Sequence, residues 1–366
     1  MTIIAQDMEY MRRALELARR AEGWTSPNPL VGAVVVRDGQ VVGEGYHQAA
    51  GTPHAEIHAL RAAGEKAYQS TVYVTLEPCS HYGRTPPCSK ALIEAGVKRV
   101  VMAITDPNPL VSGRGAAILQ AAGIAVDVGV LKEEAAALNR PFIKYITTGQ
   151  PLVAAKMAVS IDGKIATRSG SSQWITGEKA RASGRYLRHI YDAILVGSGT
   201  ILADNPQLTV RLDGVKTQNP LRIVLDSGLR IPLDSQVLKV SEAKTLIVTT
   251  EASSDKKKQE MEQLGVKLLV QPGSGKINLP WLLKKLGEQA VTALLVEGGG
   301  QVHGSFFEQD LVDTIHLYLA PKIIGGSEAP GPVGGLGVNK VDQASKYKMV
   351  KTEQHDEDLG ITYVRC

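Results

Sequence analysis

Apolar residues fall at helical spacing over residues 7–22, which predicts an amphipathic helix. Two apolar runs follow, 31–36 and 41–46, and the turn Arg37-Asp38-Gly39-Gln40 between them carries an Asp-Gly hairpin signal. A helix is expected to start at Pro53 under a Thr52 cap, because proline lacks the N–H that would be orphaned there. Val72-Tyr73-Val74-Thr75-Leu76 reads as a short buried strand, and Ser89-Lys90-Ala91-Leu92-Ile93 as the next helix. Strands at 98–104 and 124–129 flank a helix around 114–122. Residues 131–150 read as a helix and a connection. These elements predict an α/β sandwich on a mixed sheet.

A second unit begins after Gly149-Gln150-Pro151, so the expected domains are 1–149 and 150–366. Strands are expected at 152–159, 192–197, 221–226, 244–249, 266–270, 292–297 and 313–319. Helical patterns lie at 177–190, 255–264, 279–287 and 301–309. This alternation implies a largely parallel sheet with crossovers. The runs near 345–352 and 360–365 are expected to pair antiparallel at an edge. A chain of 366 residues is too long for one compact core, which agrees with two domains.

Bulk properties narrow the partners. The formal net charge is +4 and aromatics make up 5%, so no stacking surface for single-stranded nucleic acid is expected. The run Lys256-Lys257-Lys258 reads as a solvated helix face. No apolar run approaches ~20 residues and no apolar signal region opens the chain, so no membrane partner is expected. Three cysteines fit a reducing cytoplasm. A homo-oligomer is expected.

Candidate chemistry centres on Pro53-His54-Ala55-Glu56, Glu77-Pro78-Cys79 and Cys88. His54, Cys79 and Cys88 can hold a zinc ion as three protein ligands, leaving a fourth position for water. A structural site normally closes all four, and the only other cysteine is Cys366. His54 and His58 could share a helix face, but a protease-type zinc helix needs glutamate directly after the first histidine, where Ala55 stands. Zinc lowers the pKa of bound water from about 16 to about 7. Glu56 is the candidate to shuttle protons between that water and a departing amine. A helix N-terminus favours the Cys88 thiolate. A lone His-x-Glu means little, but followed by Pro-Cys and a further cysteine it is the pattern of zinc-dependent nucleobase deaminases.

The run Thr75-Leu76-Glu77-Pro78-Cys79-Ser80-His81-Tyr82-Gly83-Arg84-Thr85-Pro86-Pro87-Cys88 resembles the deaminase half of the bifunctional riboflavin-biosynthesis deaminase–reductase family. Most other deaminases of this class put two residues between the cysteines, and here eight intervene. Pro27-Asn28-Pro29-Leu30-Val31-Gly32, Gly43-Glu44-Gly45-Tyr46-His47 and Asp106-Pro107-Asn108-Pro109 match the same pattern. The resemblance covers essentially the whole chain. It implies a cytidine-deaminase-like α/β/α sandwich that removes the C2 amino group of 2,5-diamino-6-ribosylamino-pyrimidinone 5′-phosphate. It further implies that Asn28, His47, Arg84 and Asn108 hold that substrate.

The second half carries two Gly-rich turns after strands, Gly197-Ser198-Gly199-Thr200 and Gly298-Gly299-Gly300-Gln301. Backbone N–H groups at such a turn can cradle phosphate. Neither matches the full dinucleotide fingerprint, and each is equally a tight strand–helix connection. The resemblance implies more: a dihydrofolate-reductase-like α/β domain that uses NADPH to reduce the ribose to ribityl. The matching stretches are Lys156 to Thr167, Ser172 to Thr176, Leu202 to Arg211 and Val296 to Gly300. By this resemblance Ala158, Trp174, Thr200, Asp204, Ser227, Gly299, Gly300, Gln301, Val302, His303, Gly304 and Ser305 line the cofactor. Lys156, Ser172, Arg188, Leu208, Arg211 and Glu297 face the sugar phosphate, where arginine's planar fork suits two oxygens. Read alone, Arg188 is a solvated helix residue and Trp174 a core anchor. Two other classes remain open: a nucleic-acid deaminase with an RNA-binding second domain, and a protein in which one half has lost catalysis.

Overall fold

The computed structural model describes residues 5–80, 87–109 and 111–366. They form two compact units, one ending at Gln150 and the other beginning at Pro151. The first unit runs α1 (Ala5–Arg19), β1 (Gly32–Arg37), β2 (Gln40–Tyr46), α2 (Ala55–Ala63), β3 (Thr71–Leu76), α3 (Cys88–Glu94), β4 (Arg99–Ile104), α4 (Arg114–Ala121), β5 (Ala125–Val128), α5 (Lys132–Leu138) and α6 (Arg140–Thr148). Its sheet has the order β2-β1-β3-β4-β5. The β2-β1 and β1-β3 pairs are antiparallel, and β3-β4 and β4-β5 are parallel.

Helices lie directly on both faces of this sheet. A Cβ on Gly32 would meet the Ala14 carbonyl of α1 at 2.0 Å, and one on Gly45 would meet the Ala55 carbonyl of α2 at 2.5 Å. Gly45 pairs with Ala33, whose side chain points to the opposite face from Gly32 because strand side chains alternate. The result is an α/β/α sandwich whose centre is the fully buried Ala33, Val34, Val35, Val72, Val74, Val100 and Val101.

Two local expectations need correction. Helix α2 starts at Ala55, and Pro53 and His54 lie outside it. Thr52 does not cap it, because its hydroxyl is used within the preceding turn, donating to the Ala49 carbonyl at 2.7 Å. Residues 131–150 hold two helices. The break falls at Asn139, whose side chain accepts from Leu30 N at 2.8 Å and donates to Leu30 O at 2.9 Å, with Pro141 following in the first turn of α6.

The second unit runs β6 (Leu152–Ser160), α7 (Glu178–Ile190), β7 (Ala193–Gly197), α8 (Ser198–Asp204), β8 (Leu221–Leu225), β9 (Thr245–Thr250), α9 (Asp255–Gln263), β10 (Lys267–Gln271), α10 (Leu279–Glu288), β11 (Ala293–Val296), α11 (Gly300–Glu308), β12 (Thr314–Ala320), β13 (Tyr347–His355) and β14 (Asp358–Arg365). The sheet order is β10-β9-β8-β7-β11-β6-β12-β14-β13. Pairing is parallel from β10 through β12, and β14 and β13 add an antiparallel edge. Helix α8 is unforeseen, since Gly199 in its first turn lowers helix propensity. The lysine run is only partly solvated: Lys257 Nζ donates to Leu229 O at 2.6 Å and Lys258 Nζ to Glu251 O at 3.2 Å. Among the described residues no helix is long and apolar enough to cross a membrane.

Candidate active sites

In the first unit three elements converge. His54 precedes α2 in an extended conformation, Cys79 follows β3, and Cys88 opens α3. His54 Nδ1 lies 3.3 Å from Cys88 Sγ and 3.5 Å from Cys79 Sγ. Bond lengths of about 2.3 Å to sulfur and 2.0–2.1 Å to nitrogen around a tetrahedral zinc put N and S about 3.6 Å apart. The three donors, all within 4.8 Å of one another, therefore fit that ion. A hydrogen bond from Cys88 pushes Cys79 down, and the same contact pushes Cys88 up. A bound dication would favour the deprotonated form of both thiols.

Glu56 is the second residue of α2 and is buried. Burial first, then the Cys79 thiolate, raises its carboxyl to about 7, against the pull of His54. His47 sits edge-on to His54 with ring centres 5.5 Å apart. Its Nδ1 lies 3.2 Å from the Pro53 carbonyl and its Nε2 3.0 Å from Asn28 Nδ2. The carbonyl can only accept, so Nδ1 carries the proton and Nε2 accepts from Asn28. Burial holds His47 below its ordinary value. Asn108 lies in the loop after β4, where its N–H donates to Asp106 Oδ1 at 2.8 Å. Arg84 lies outside the described residues.

Glu77 had no role assigned from sequence beyond its place in the motif. Its buried carboxylate accepts from the N–H groups of Asp106 and Gly113 at 2.9 Å and of Ala116 at 3.1 Å. It thus ties the turn that carries Cys79 to the loop that carries Asn108. The signal was a carboxylate at a strand end, which alone does not reveal distant N–H partners.

In the second unit the two Gly-rich turns stand side by side, because β7 and β11 are paired neighbours. Val302 fills the space between them: a Cβ on Gly197 would meet its Cγ2 at 2.8 Å, and one on Gly298 its Cβ at 2.7 Å. Beside them Arg188 makes a two-point contact with Glu297, Nε to Oε1 at 2.8 Å and Nη2 to Oε2 at 3.0 Å. Lys156 Nζ lies 3.7 Å from Glu297 Oε2. Arg188 is therefore largely covered and paired, unlike a solvated helix residue. Its Nη1 also donates to Thr209 O at 3.0 Å, holding the segment with Leu208 and Arg211. Arg211 is kept below its ordinary value by partial burial first and then by Arg188 and Arg185. Cations thus outnumber the one carboxylate here, which suits an anionic ligand.

Other implied residues divide. Gly299, Thr200 and Gln301 border the turns, Asp204 closes α8, and Ser227 follows β8. Ala158 lies on β6 opposite Tyr318. Ser172 is half-buried, and Trp174 is 62% exposed under the Arg181 guanidinium, so it is no core anchor. Leu208 packs its side chain into the core, leaving only its backbone for a ligand. His303 is buried, its ring nitrogens 3.0 Å from Pro332 O and 3.1 Å from Val296 O. Gly304 and Ser305 do not line an open surface alike: a Cβ on Gly304 would strike Gly334 O at 2.3 Å, and Ser305 Oγ donates to Gln301 O. Arg222, not singled out from sequence, is fully buried and donates to Gln207 O, Lys239 O and Ala243 O, bracing the same 205–211 segment.

Glu297 gives a pH prediction. Burial alone would raise its carboxyl, but Arg188 and then Lys156 outweigh that and lower it to about 2. A carboxyl lowered on folding stabilises above its unfolded value, and that contribution is lost as pH falls through its folded value. Glu297→Gln should therefore lower stability at pH 7 on the order of 3 kcal/mol. It should also flatten the acid limb between about pH 4.5 and 2, as read by thermal melts across that range. An unchanged acid limb in the variant would disprove the pairing.

Comparison with known proteins bears on both sites. Residues 4–104 match the family described as cytidine and deoxycytidylate deaminase zinc-binding region, and residues 151–361 match the RibD C-terminal domain. The chain is 48% identical to riboflavin biosynthesis protein RibD of Actinobacillus pleuropneumoniae, over 98% of this chain and 95% of that one. It is 46% identical to RibD of Aquifex aeolicus, over 98% of each. Among solved structures, Acinetobacter baumannii RibD superposes with a TM-score of 0.89 at 39% identity, covering 99% of both chains. A Thermotoga maritima protein described as diaminohydroxyphosphoribosylaminopyrimidine deaminase/5-amino-6-(5-phosphoribosylamino)uracil reductase gives 0.86 at 37%, also over 99% of both.

Proposed function

The chain belongs to the RibD family of riboflavin-biosynthesis proteins, and from that membership we propose which residues carry each of its two reactions. It is a bifunctional enzyme: a zinc-dependent deaminase of cytidine-deaminase-like α/β/α fold, joined to a dihydrofolate-reductase-like domain that uses NADPH. It deaminates the diaminopyrimidine ribosylamine 5′-phosphate at C2 and then reduces the ribose to ribityl.

His54, Cys79 and Cys88 hold the zinc, as the 3.3 and 3.5 Å separations of their donors support. When bound, zinc supplies a water acidified to a pKa of about 7. Glu56 would be the residue that takes up a proton at its carboxylate and passes one to the departing ammonia. Its buried carboxyl, drawn up to about 7, is suited to do both at neutral pH. Asn28, His47, Asn108 and Arg84 are the residues proposed to hold the pyrimidine substrate. In the second unit NADPH, when bound, would supply the hydride for reduction of the ribose at C1′. Arg188, Lys156 and Arg211 hold the phosphorylated sugar with Glu297 fixing the first two. Ser172 and the Leu208 backbone border it.

The cofactor runs along Ala158, Trp174, Thr200, Asp204, Ser227 and the 299–305 segment. Within it His303 and Gly304 seat the loop behind the cradle. Gly299 carries the reading: it is the N-cap of α11, and a Cβ there meets no atom within 4 Å. Gly299→Val should fold normally yet weaken NADPH binding, because the branched side chain enters the space where phosphate approaches backbone. Fluorescence titration checks this, and unaltered affinity would remove the cradle from the site.

The protein is expected to act in the cytoplasm on a small molecule, as a homo-oligomer without a nucleic-acid partner. Its three unpaired cysteines support the reducing compartment. Incubating purified protein with the diamino substrate, with and without NADPH, tests the whole reading. Ammonia release in both arms and cofactor oxidation in only one is the expected result. Ammonia without cofactor oxidation would reduce the chain to a single activity.

A further inference from the structure

Residues 324–334, between β12 and β13, form a strap over two parts of the second unit. Its first part is tied to the turn after β6. Asp162 accepts from Ile324 N at 3.1 Å and from Gly325 N at 2.6 Å. Lys164 Nζ donates to Ala329 O at 3.0 Å, and Ile165 N to Pro330 O at 3.0 Å. The second part of the strap lies against the first turn of α11. Gly334 N donates to Gly300 O at 2.8 Å, and a Cβ on Gly300 would meet Gly331 O at 2.8 Å. The strap is thus one wall of the cradle proposed above for the cofactor.

A single imidazole joins this wall to the sheet. His303 is 3% exposed, with Nδ1 3.0 Å from Pro332 O on the strap and Nε2 3.1 Å from Val296 O at the end of β11. Both partners are carbonyls and can only accept. A neutral imidazole carries one N–H, so it holds one carbonyl and turns a lone pair on the other. An imidazolium holds both. Burial, the largest influence, keeps His303 below its ordinary value against the pull of the two carbonyls. At pH 7 it is therefore neutral, and one of the two contacts is unmade. The charged groups acting on it are Lys156 on β6, which opposes a further proton, and Glu297 just after β11, which favours one.

We propose that His303 is a proton-operated latch: with one N–H it holds either the strap or β11, and with two it fixes the strap to the sheet beside the cofactor cradle. The second proton also places a positive charge four residues into α11. A positive charge near a helix N-terminus adds to the pull of that terminus on an anion. A fixed wall and an added charge act in the same direction, so protonation tightens binding of the dinucleotide. By linkage, binding draws in the proton. The proposal rests on the reductase reading above.

The test is calorimetric titration of the full-length protein with NADP⁺, which survives acid, from about pH 8 to about pH 5.5, a span that includes the ordinary histidine value. Repeating it in buffers of different ionisation enthalpy counts the protons taken up on binding. On acidification the wild-type protein should gain about fivefold in affinity relative to His303→Gln, the low end for coupled sites, and should take up more protons. Glutamine keeps a donor but cannot gain a proton. The phosphates of the nucleotide titrate alike with both proteins, so the difference belongs to His303. His303→Asn, whose amide lies nearer the Nδ1 position, should lose the same gain. Matching pH dependence and proton uptake in wild type and variants would overturn the proposal. Wild-type uptake no greater than the free nucleotide's own titration accounts for would overturn it without any variant. Wild-type protein that binds no NADP⁺ at any pH would overturn the reductase reading and the latch together, an outcome distinct from the others.

Discussion

Replacing Cys79 with serine will leave the full-length protein without zinc and without deamination, while NADPH-dependent reduction of pre-deaminated substrate continues. Cys79 lies within 4.8 Å of both other donors. Its sulfur lies 3.5 Å from His54 Nδ1 and accepts from the Cys88 N–H at 3.2 Å. Its thiol is also the more easily ionised of the pair. Serine keeps the size but offers a hydroxyl that does not ionise at neutral pH, so two ligands remain where a catalytic zinc needs three. The reductase residues all lie beyond Pro151, in the second compact unit. Metal analysis should fall from about one zinc per chain to none. Full zinc content in the variant would take Cys79 out of the site.

Glu56→Gln separates proton transfer from metal binding. Glutamine keeps the shape and a hydrogen-bond acceptor, but it cannot take up a proton. The variant should retain about one zinc per chain and lose deamination by ~10²–10⁴-fold, the range for general acid–base catalysis. Removing an ionisable group whose burial opposes its charge should not destabilise the fold, so melting behaviour should be near that of the parent. Near-normal turnover with zinc in place would mean that another group moves the proton. Together the two variants distinguish a lost metal from a lost proton carrier, since only the first changes metal content.

Much of the architecture was legible because period and punctuation agree. Each expected strand, from 31–36 to 360–365, lies within a few residues of an observed one, since apolar runs bounded by Gly, Pro and Asp leave few alternatives. The grouping of His54, Cys79 and Cys88 was legible from residue type and spacing, and the structure brings the three side chains together. What escaped depends on contacts distant in sequence. The Thr52 cap failed because a nearer acceptor, Ala49 O, competes for the same hydroxyl. The break at Asn139 depends on Leu30, more than a hundred residues earlier. Helix α8 hid behind its glycine. Glu77 and Arg222 act through backbone groups on other elements, and no local pattern announces such partners. Leu208 shows the reverse limit: its position is beside the cation cluster, but its side chain serves the core.

The seating of helices on strand backbone has an evolutionary consequence. At Gly43 a Cβ would lie 2.3 Å from the Ala59 carbonyl, and at Gly45 2.5 Å from that of Ala55, with rigid main chain on the other side of each contact. Even alanine would lift α2, the helix that begins one residue after His54 and carries Glu56. Every amino-acid substitution at these two positions adds at least that Cβ, so both are held at glycine by the backbone opposite them. The strand face beneath the helix that carries Glu56 is thus closed to side chains at both positions, so variation near this site is left to the loops rather than to Gly43 and Gly45.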